Sequence, residues 1–115
     1  MALGDLEREV MTQLWDATTP LTVRQVHEAL SRDRDLAYTT VMTVLDRLAK
    51  KGVVVQQKAD RAYRYTPAQT REQMTAAVML DALSASPDQD AALAYFVGRL
   101  SPDTLAAAIE AAKKG

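Results

Sequence analysis

The sequence predicts a mainly helical chain that contains one small β-hairpin. Apolar residues recur at helical spacing over most of the 115 residues. One region after Gly52, VVVQQKADRAYRYTP, is instead rich in β-branched and aromatic residues, as strands are. Capping residues, prolines and glycines divide the helical regions into short segments.

The composition argues against several classes of protein. The chain has no cysteine, so it cannot form a disulfide framework or a thiolate metal site, and we expect a reducing, cytoplasmic location. It has no run of 18 apolar residues, and its start, MALGDLEREV, is acidic rather than a basic leader. We therefore expect neither a membrane span nor an export signal. A chain this short also gains from pairing with a second subunit.

Two amphipathic helices are predicted before residue 31. The first carries an apolar stripe from Leu3 to Leu14, with Asp5 as its expected N-cap. A Thr-Pro pair follows, and the segment LTVRQVHEAL reads as the second helix, in which Thr22 and Gln25 have capping-box spacing. The charged segment SRDRD that comes next is expected to be a turn.

A third helix is predicted from Tyr38, over YTTVMTVLDRLAKK, with Gly52 as its C′ residue. On a helical wheel its valines and leucines fall on one side and belong to a core. The opposite side and its flanks carry hydroxyl and basic side chains. The residues expected to face a partner are Thr39, Thr40, Thr43, Arg47 and Lys50.

A β-hairpin is predicted directly after this helix. Its strands are Val53 to Gln57 and Ala62 to Thr66, joined by the segment KADR. Six basic residues and one acidic residue lie between Arg47 and Arg64, a local positive patch in a chain whose net charge is −1. Three helices followed by a hairpin with a basic tip is the order of a winged helix-turn-helix, whose second motif helix enters the DNA major groove.

The remaining residues are predicted to form three alanine-rich helices. The first spans Thr70 to Ser84, Pro87 separates it from the second, and Ser101 caps the third. With little else to bury against, these helices most simply form a dimer interface. We therefore predict a winged helix-turn-helix DNA-binding domain over residues 1–68 and a C-terminal three-helix dimerisation domain over residues 69–115. The expected dimerisation residues are Leu93, Phe96, Val97, Leu100, Leu105 and Ile109.

These motifs together resemble the BlaI/MecI family of penicillinase repressors, and most of all its actinobacterial members. The resemblance is carried by LEREVMTQLW, LAYTTVMTVLDRLAKKGVV, DRAYRYTP and FVGRLSPDTL, in this order along nearly the whole chain. It implies a dimeric repressor that binds palindromic operators before β-lactamase or related resistance genes. It also implies inactivation by proteolysis when a membrane receptor peptidase senses a β-lactam. In such relatives the cut precedes a phenylalanine in the penultimate helix, here the Tyr95–Phe96 bond, although they carry asparagine where Tyr95 stands.

In a DNA-binding protein the threonines and the basic side chains have different expected roles. Thr39, Thr40 and Thr43 lie near the N-terminal end of the third helix, which a recognition helix offers to base edges. Each hydroxyl can donate or accept a hydrogen bond, and each methyl group can meet a thymine methyl. Phosphates are contacted by basic side chains, which position a protein without specifying sequence. The residues expected to contact phosphates are Arg47, Lys50, Lys58, Arg61 and Arg64.

Some of these exposed residues have a structural alternative. Thr39 can cap the third helix, and Thr43 can donate back to a backbone carbonyl. Asp46 lies four residues before Lys50, so we favour a surface ion pair over a contact between Asp46 and a base. Met42 lies at a position where similar proteins often carry a polar or basic side chain, so whether it contacts a base stays open.

Three aromatic side chains have structural interpretations. Tyr63 and Tyr65 are expected to pack the hairpin against the helices rather than to stack on bases. His27 is the only histidine, and without a cluster of other ligands we expect it to be structural. The sequence also lacks a nucleophile with a placed base, a phosphate loop and a metal triad, so we expect neither an enzyme nor a cofactor.

Two classes of function remain open from the residues. One is a sequence-specific dimeric transcriptional repressor that binds double-stranded DNA through helix 38–51 and the basic wing. The other is a winged-helix module that contacts proteins and does not bind DNA specifically. Salt-sensitive, palindrome-dependent binding to DNA distinguishes the first class from the second.

Overall fold

The computed structural model describes residues 3–115. In this part of the chain the predicted class, mainly α with a small β wing, is confirmed. The elements in chain order are α1 (Asp5–Asp16), β1 (Leu21–Thr22), α2 (Val23–Leu30), α3 (Tyr38–Lys50), β2 (Val54–Ala59), β3 (Ala62–Pro67), α4 (Arg71–Ser84), α5 (Gln89–Gly98) and α6 (Pro102–Lys114).

The chain forms two compact units, which divide between Ala76 and Ala77. We call them the N-terminal unit and the C-terminal unit. The first turns of α4 belong to the N-terminal unit because Met74 packs into its hydrophobic core. The functional boundary after residue 68 stays a prediction.

α1 does not begin as predicted. Asp5 is its first residue, and Gly4 is its N-cap. The backbone N–H of Gly4 donates to Oε1 of Glu7 at 3.0 Å, so the helix start is closed by a side chain from the helix itself. The prediction that Asp5 is the N-cap is therefore wrong. As an acidic residue of the first turn, Asp5 still lies at the favourable end of the helix dipole.

The capping box of α2 is confirmed. The backbone N–H of Gln25 donates to Oγ1 of Thr22 at 3.2 Å, and the backbone N–H of Thr22 donates to Oε1 of Gln25 at 2.9 Å. The sequence pattern predicts helix for Leu21 and Thr22, but these two residues form the short strand β1, which pairs with β3. An N-cap residue has extended backbone, so it is free to join a sheet just before the helix begins.

Gly52 is the C′ residue that follows α3, as predicted. Gly52 has a φ of 78°, the left-handed conformation that glycine adopts without a steric cost. The N–H of Gly52 donates to the carbonyl of Ala49 at 3.0 Å, and the N–H of Val53 donates to that of Leu48 at 2.9 Å, which together form a Schellman motif. This compact end brings β2 directly after α3, so the hairpin is fixed to the helix.

The three strands form an antiparallel sheet in the order β1-β3-β2. β2 and β3 are joined by the two residues Asp60 and Arg61, and Asp60 has a φ of 56°, which aspartate tolerates better than most residues. Together β2 and β3 make the wing. Its base packs on the helices through Val54 and Tyr65, both buried.

The core of the N-terminal unit is formed by the apolar sides of α1, α2 and α3 and by the base of the wing. The helical sides predicted from periodicity are confirmed. Its buried residues are Val10, Met11, Leu14, Val23, Val26, Leu30, Val41, Val44, Leu45, Leu48, Val53, Val54, Tyr65 and Met74.

Trp15 fastens the beginning of α4 to the end of α1. Its indole Nε1 donates to the carbonyl of Gln69 at 2.9 Å, and the guanidinium of Arg71 lies over its ring, 5.3 Å from the centroid. Arg71 also pairs with Asp16 at 3.0 Å. These contacts hold the first turn of α4 against the end of α1.

The C-terminal unit consists of capped helices without a core of its own. Asp88 accepts from the N–H of Ala91 to cap α5, and Ser101 accepts from the N–H of Thr104 to cap α6, as predicted for Ser101. Among residues 77–115, all of which the structure describes, no side chain is buried. None of the helices found between residues 3 and 115 is long and apolar enough to cross a membrane.

Candidate nucleic-acid interface

α3 has one buried side and one exposed side. Val41, Leu45 and Leu48 are fully buried and fix the helix in the core. Because helical residues three and four apart share a side, this packing turns the hydroxyl and basic side chains outward. The predicted contact residues of α3 are all exposed, namely Thr39, Thr40, Thr43, Arg47 and Lys50.

The two structural alternatives for the threonines have different outcomes. Ala37 is the N-cap of α3, so the capping alternative for Thr39 is wrong. The back-bonding alternative is present for Thr43, whose Oγ1 donates to the carbonyl of Thr39 at 2.9 Å. Since the hydroxyl hydrogen of Thr43 is donated within the helix, its oxygen can only accept a hydrogen bond from a base. Its methyl group is free to contact a thymine methyl.

The predicted ion pair between Asp46 and Lys50 is confirmed. Nζ of Lys50 lies 3.0 Å from Oδ2 of Asp46, and both side chains are exposed. Exposed pairs of this kind contribute less than about 1 kcal/mol, so the lysine can exchange this partner for a phosphate at little cost. The carboxylate of Asp46 is meanwhile held by the helix rather than offered to a base.

Lys51 ties the end of α3 to the beginning of α1. Its Nζ lies 3.0 Å from Oε2 of Glu7, whose side chain is partly buried. The pKa of Glu7 is lowered, first by the hydrogen bond from the Gly4 backbone N–H, then by the bond from Lys51, with the charge of Arg47 adding to the effect. Sequence reasoning missed this link because the two residues lie 44 positions apart.

The wing presents its basic residues on different surfaces. Lys58, Arg61 and Arg64 are all exposed. In the strand register Lys58 lies opposite Tyr63, whereas Arg64 lies opposite Gln57. Because side chains alternate along a strand, Lys58 and Arg64 project from opposite faces of the wing, and Arg61 lies at the tip. The three residues do not form one continuous surface.

The two wing tyrosines differ in burial. Tyr65 is 3% exposed and belongs to the core, as predicted, and its hydroxyl accepts from Nε2 of Gln56 at 2.8 Å. Tyr63 is 49% exposed, so the prediction that it packs against the helices is wrong. Tyr63 shares the face of Tyr65 but lies nearer the tip of the hairpin, which projects beyond the helices.

His27 contacts residues that precede and begin α3. Its Nε2 lies 2.6 Å from the carbonyl oxygen of Leu36, and its ring meets that of Tyr38 edge-on with centroids 5.6 Å apart. These contacts connect α2 to the segment that leads into α3. Within the part of the chain that the structure describes, no group of three or more His, Cys, Asp or Glu side chains could hold a metal ion.

The predicted dimerisation residues lie on α5, on α6 and between them. Each is wholly or partly exposed in the isolated chain, as is the predicted cleavage junction. Tyr95 is 82% exposed. The residues of the dimerisation set are Leu93, Phe96, Val97, Leu100, Leu105 and Ile109.

Comparison with known proteins gives matches over most of the chain. The model of the family described as "Penicillinase repressor" matches residues 3–113. Transcriptional regulator BlaI of Mycobacterium tuberculosis is 59% identical over 104 residues, which cover 88% of this chain and 75% of that protein.

Two solved structures resemble part of the chain. The DNA binding domain of the repressor BlaI has a TM-score of 0.55 and 32% identity, over 60% of this chain and 83% of that one. The Bacillus licheniformis BlaI monomeric form, in complex with the blaP half-operator, has a TM-score of 0.53 and 30% identity, over 63% of this chain and 87% of that one. The chain therefore belongs to the penicillinase repressor family.

Proposed function

We propose that the chain is a transcriptional repressor that binds a palindromic operator in double-stranded DNA as a homodimer. α3 enters the major groove, and the wing approaches the phosphate backbone. The observation that carries this proposal is the exposure of all eight predicted DNA-contacting residues on α3 and the wing. It is supported by the similarity of 63% of the chain to a BlaI monomer in complex with a half-operator. Because its proposed target is DNA, we place the protein in the cytoplasm.

The proposed contacts divide into those that specify sequence and those that hold the backbone. Thr39, Thr40 and Thr43 lie in the first turns of α3 and read base edges. The basic residues bind phosphates and make the affinity salt-dependent. The phosphate-binding set is Arg47, Lys50, Lys58, Arg61 and Arg64.

The dimer is formed through the C-terminal unit. Leu93 and Phe96 on α5 and Ile109 on α6 are nearly half exposed, and the unit has no buried residue in the described range 77–115. A single copy thus leaves apolar surface in water that a second copy can cover. Two weak half-site contacts then add through the shared dimer, which makes operator affinity depend on dimerisation.

Release from the operator follows from cleavage of the Tyr95–Phe96 bond by a membrane-bound receptor peptidase that senses β-lactams, and the repressed genes include β-lactamase or other resistance genes. Tyr95 is strongly exposed, and the bond lies in the last turn of α5, where helices fray. Cleavage there separates α6 from α4 and breaks the dimer. Mass spectrometry of the protein from β-lactam-treated cells should find a fragment that ends at Tyr95; intact repressor that leaves DNA during induction contradicts this step.

A gel shift on the DNA upstream of the protein's own gene, at two salt concentrations, tests the proposed function. We expect a shift that weakens steeply with salt and that requires the palindrome. The competing function, a winged helix that contacts proteins without specific DNA binding, predicts no shift at either salt concentration. A shift that is indifferent to the palindrome also contradicts the proposed repressor.

A further inference from the structure

Met42 is an apolar side chain on the part of α3 that is offered to DNA. It is 44% exposed. Its neighbours in the sequence are the buried Val41 and the exposed Thr43. Tyr38, one helical turn before it, is 46% exposed. Residues four apart on a helix are neighbours, so the two side chains form one apolar patch on a flank of the exposed side.

The polar groups beside this patch are largely engaged within the helix. The hydroxyl hydrogen of Thr43 is donated to the Thr39 carbonyl. The carboxylate of Asp46, one turn after Met42, is held by Lys50. Of the side chains beside Met42, Thr43 thus has no free hydroxyl hydrogen and Asp46 has no hydrogen to donate, so the exposed group that Met42 itself offers to a groove is apolar.

A DNA major groove offers one apolar group to such a surface, the C5-methyl of thymine. We infer that Met42 is a specificity-determining residue that reads a thymine methyl in each half-site of the operator. Tyr38 lines the same apolar patch, and its ring is restrained by the edge-on contact with His27. This inference rests on the proposed function, because it requires α3 to enter the major groove.

The experiment removes one methyl group at a time from the DNA. Selection of binding sequences from a random duplex library by the full chain defines the operator. Each thymine of one half-site is then replaced by deoxyuridine, which lacks the C5-methyl and keeps the base pair. We expect one replacement to weaken binding by wild-type protein about fourfold, the effect of burying a single methyl-sized group. Met42→Ala should bind that duplex and the unmodified duplex equally.

Lys50→Ala is the matched control on the same helix. It should weaken binding to both duplexes and keep the fourfold ratio between them, because it removes a phosphate contact and not the methyl contact. Met42→Gln keeps the length of the side chain and adds polarity. Like Met42→Ala, it should bind the unmodified and the deoxyuridine duplexes with equal affinity. Both Met42 variants should keep the wild-type melting temperature, since the side chain is outside the core.

The outcomes separate this inference from the proposed function. If no thymine methyl affects binding, or if Met42→Ala keeps the fourfold ratio, the inference is wrong while operator binding stands. If the selection enriches no sequence, the proposed function itself is contradicted, and the inference falls with it.

Discussion

The hydroxyl of Thr43 forms a hydrogen bond within α3, and we propose that its oxygen also contacts a base in the DNA groove. Its hydrogen is donated to the carbonyl of Thr39, so the oxygen keeps only lone pairs for a partner. In the major groove the complementary donors are the amino groups of adenine and cytosine. We therefore expect Thr43 to favour these bases while it keeps its hydrogen bond to the Thr39 carbonyl.

Thr43→Val tests this division of roles. Valine keeps the shape and a methyl group but cannot accept, so preference for an amino-bearing base at the facing position should fall by about fivefold. The free energy of unfolding should change by less than about 0.5 kcal/mol, because back-bonding contributes little to helix stability. Affinities for operator variants measure the base preference, and a denaturant melt measures the free energy of unfolding. Unchanged preference among all operator variants would show that the hydroxyl serves only the helix.

Glu7 makes the stability of the N-terminal unit depend on pH. Its pKa is lowered from the ordinary value of 4.5 by the Gly4 N–H and by Lys51, so its carboxylate stabilises the folded state above that value. This contribution is lost as the pH falls through the lowered folded pKa. We expect Glu7→Gln to reduce the free energy of unfolding by about 1 kcal/mol at pH 7 and to have little effect in acid.

Urea melts at several pH values measure this difference. The matched control is Glu72→Gln, which removes one carboxylate from an exposed position in the first turn of α4. The pH dependence that belongs to Glu7 is the difference between the two variants. A deficit for Glu7→Gln that is the same at pH 3 and at pH 7 would disprove the assigned role.

At the scale of helices and strands, features that depend on residues close together in the sequence were predicted better than contacts between residues far apart in it. The buried sides of α1, α2 and α3 follow from apolar spacing alone, and the capping box at Thr22 follows from two residues three apart. The Asp5 prediction failed because Gly4 and Glu7 offer a competing cap that is equally local. The hydrogen bond from Trp15 to Gln69 could not be predicted from the sequence, because it joins residues 54 positions apart that only the packed fold brings together.

In the wing, too, the sequence predicted which residues are present but not how the fold arranges them. The sequence predicted the hairpin and its basic residues, and all three are exposed. Which face each residue occupies depends on where the turn lies. β2 runs closer to the turn than predicted, up to Ala59, whereas β3 begins at Ala62 as predicted. The register then separates Lys58 from Arg64, a distinction that composition cannot make.

Substitutions in the wing test its role as a phosphate-binding element. Arg61→Ala should weaken binding to all DNA sequences alike and reduce the slope of log affinity against log salt by about 1. Lys58→Ala and Arg64→Ala should have unequal effects because the two side chains project from opposite faces. Lys113→Ala, the control, removes the same charge from the C-terminal unit. An unchanged salt slope for Arg61→Ala would exclude the tip from the interface.

On the scale of the whole molecule, the N-terminal unit has a continuous core, and the C-terminal unit has none in residues 77–115, all of them described. The apolar stripe read from the sequence on α5 is thus left partly in water in a single copy. We attribute this imbalance to dimerisation, which supplies the missing core. Operator affinity and stability of the C-terminal unit should then both depend on protein concentration.

Phe96→Asp tests the dimer interface. A charge buried between two copies is costly, so the variant should sediment as a monomer at micromolar concentrations at which the wild type is a dimer. Gln89→Asp is the matched control, because it adds the same charge at the exposed first residue of α5, where a negative charge is favourable. Sedimentation equilibrium distinguishes the variants. A dimeric Phe96→Asp protein would place the interface elsewhere.

Binding by a dimer is measured most directly by comparing the affinity of the full chain for a complete palindrome and for a single half-site, at one fixed salt concentration. If the chain is a dimer that engages both half-sites, it should bind the palindrome at least about a hundredfold more tightly, and Phe96→Asp should lose this advantage while keeping its half-site affinity. Equal affinity of the wild-type chain for the two duplexes would contradict a dimeric repressor.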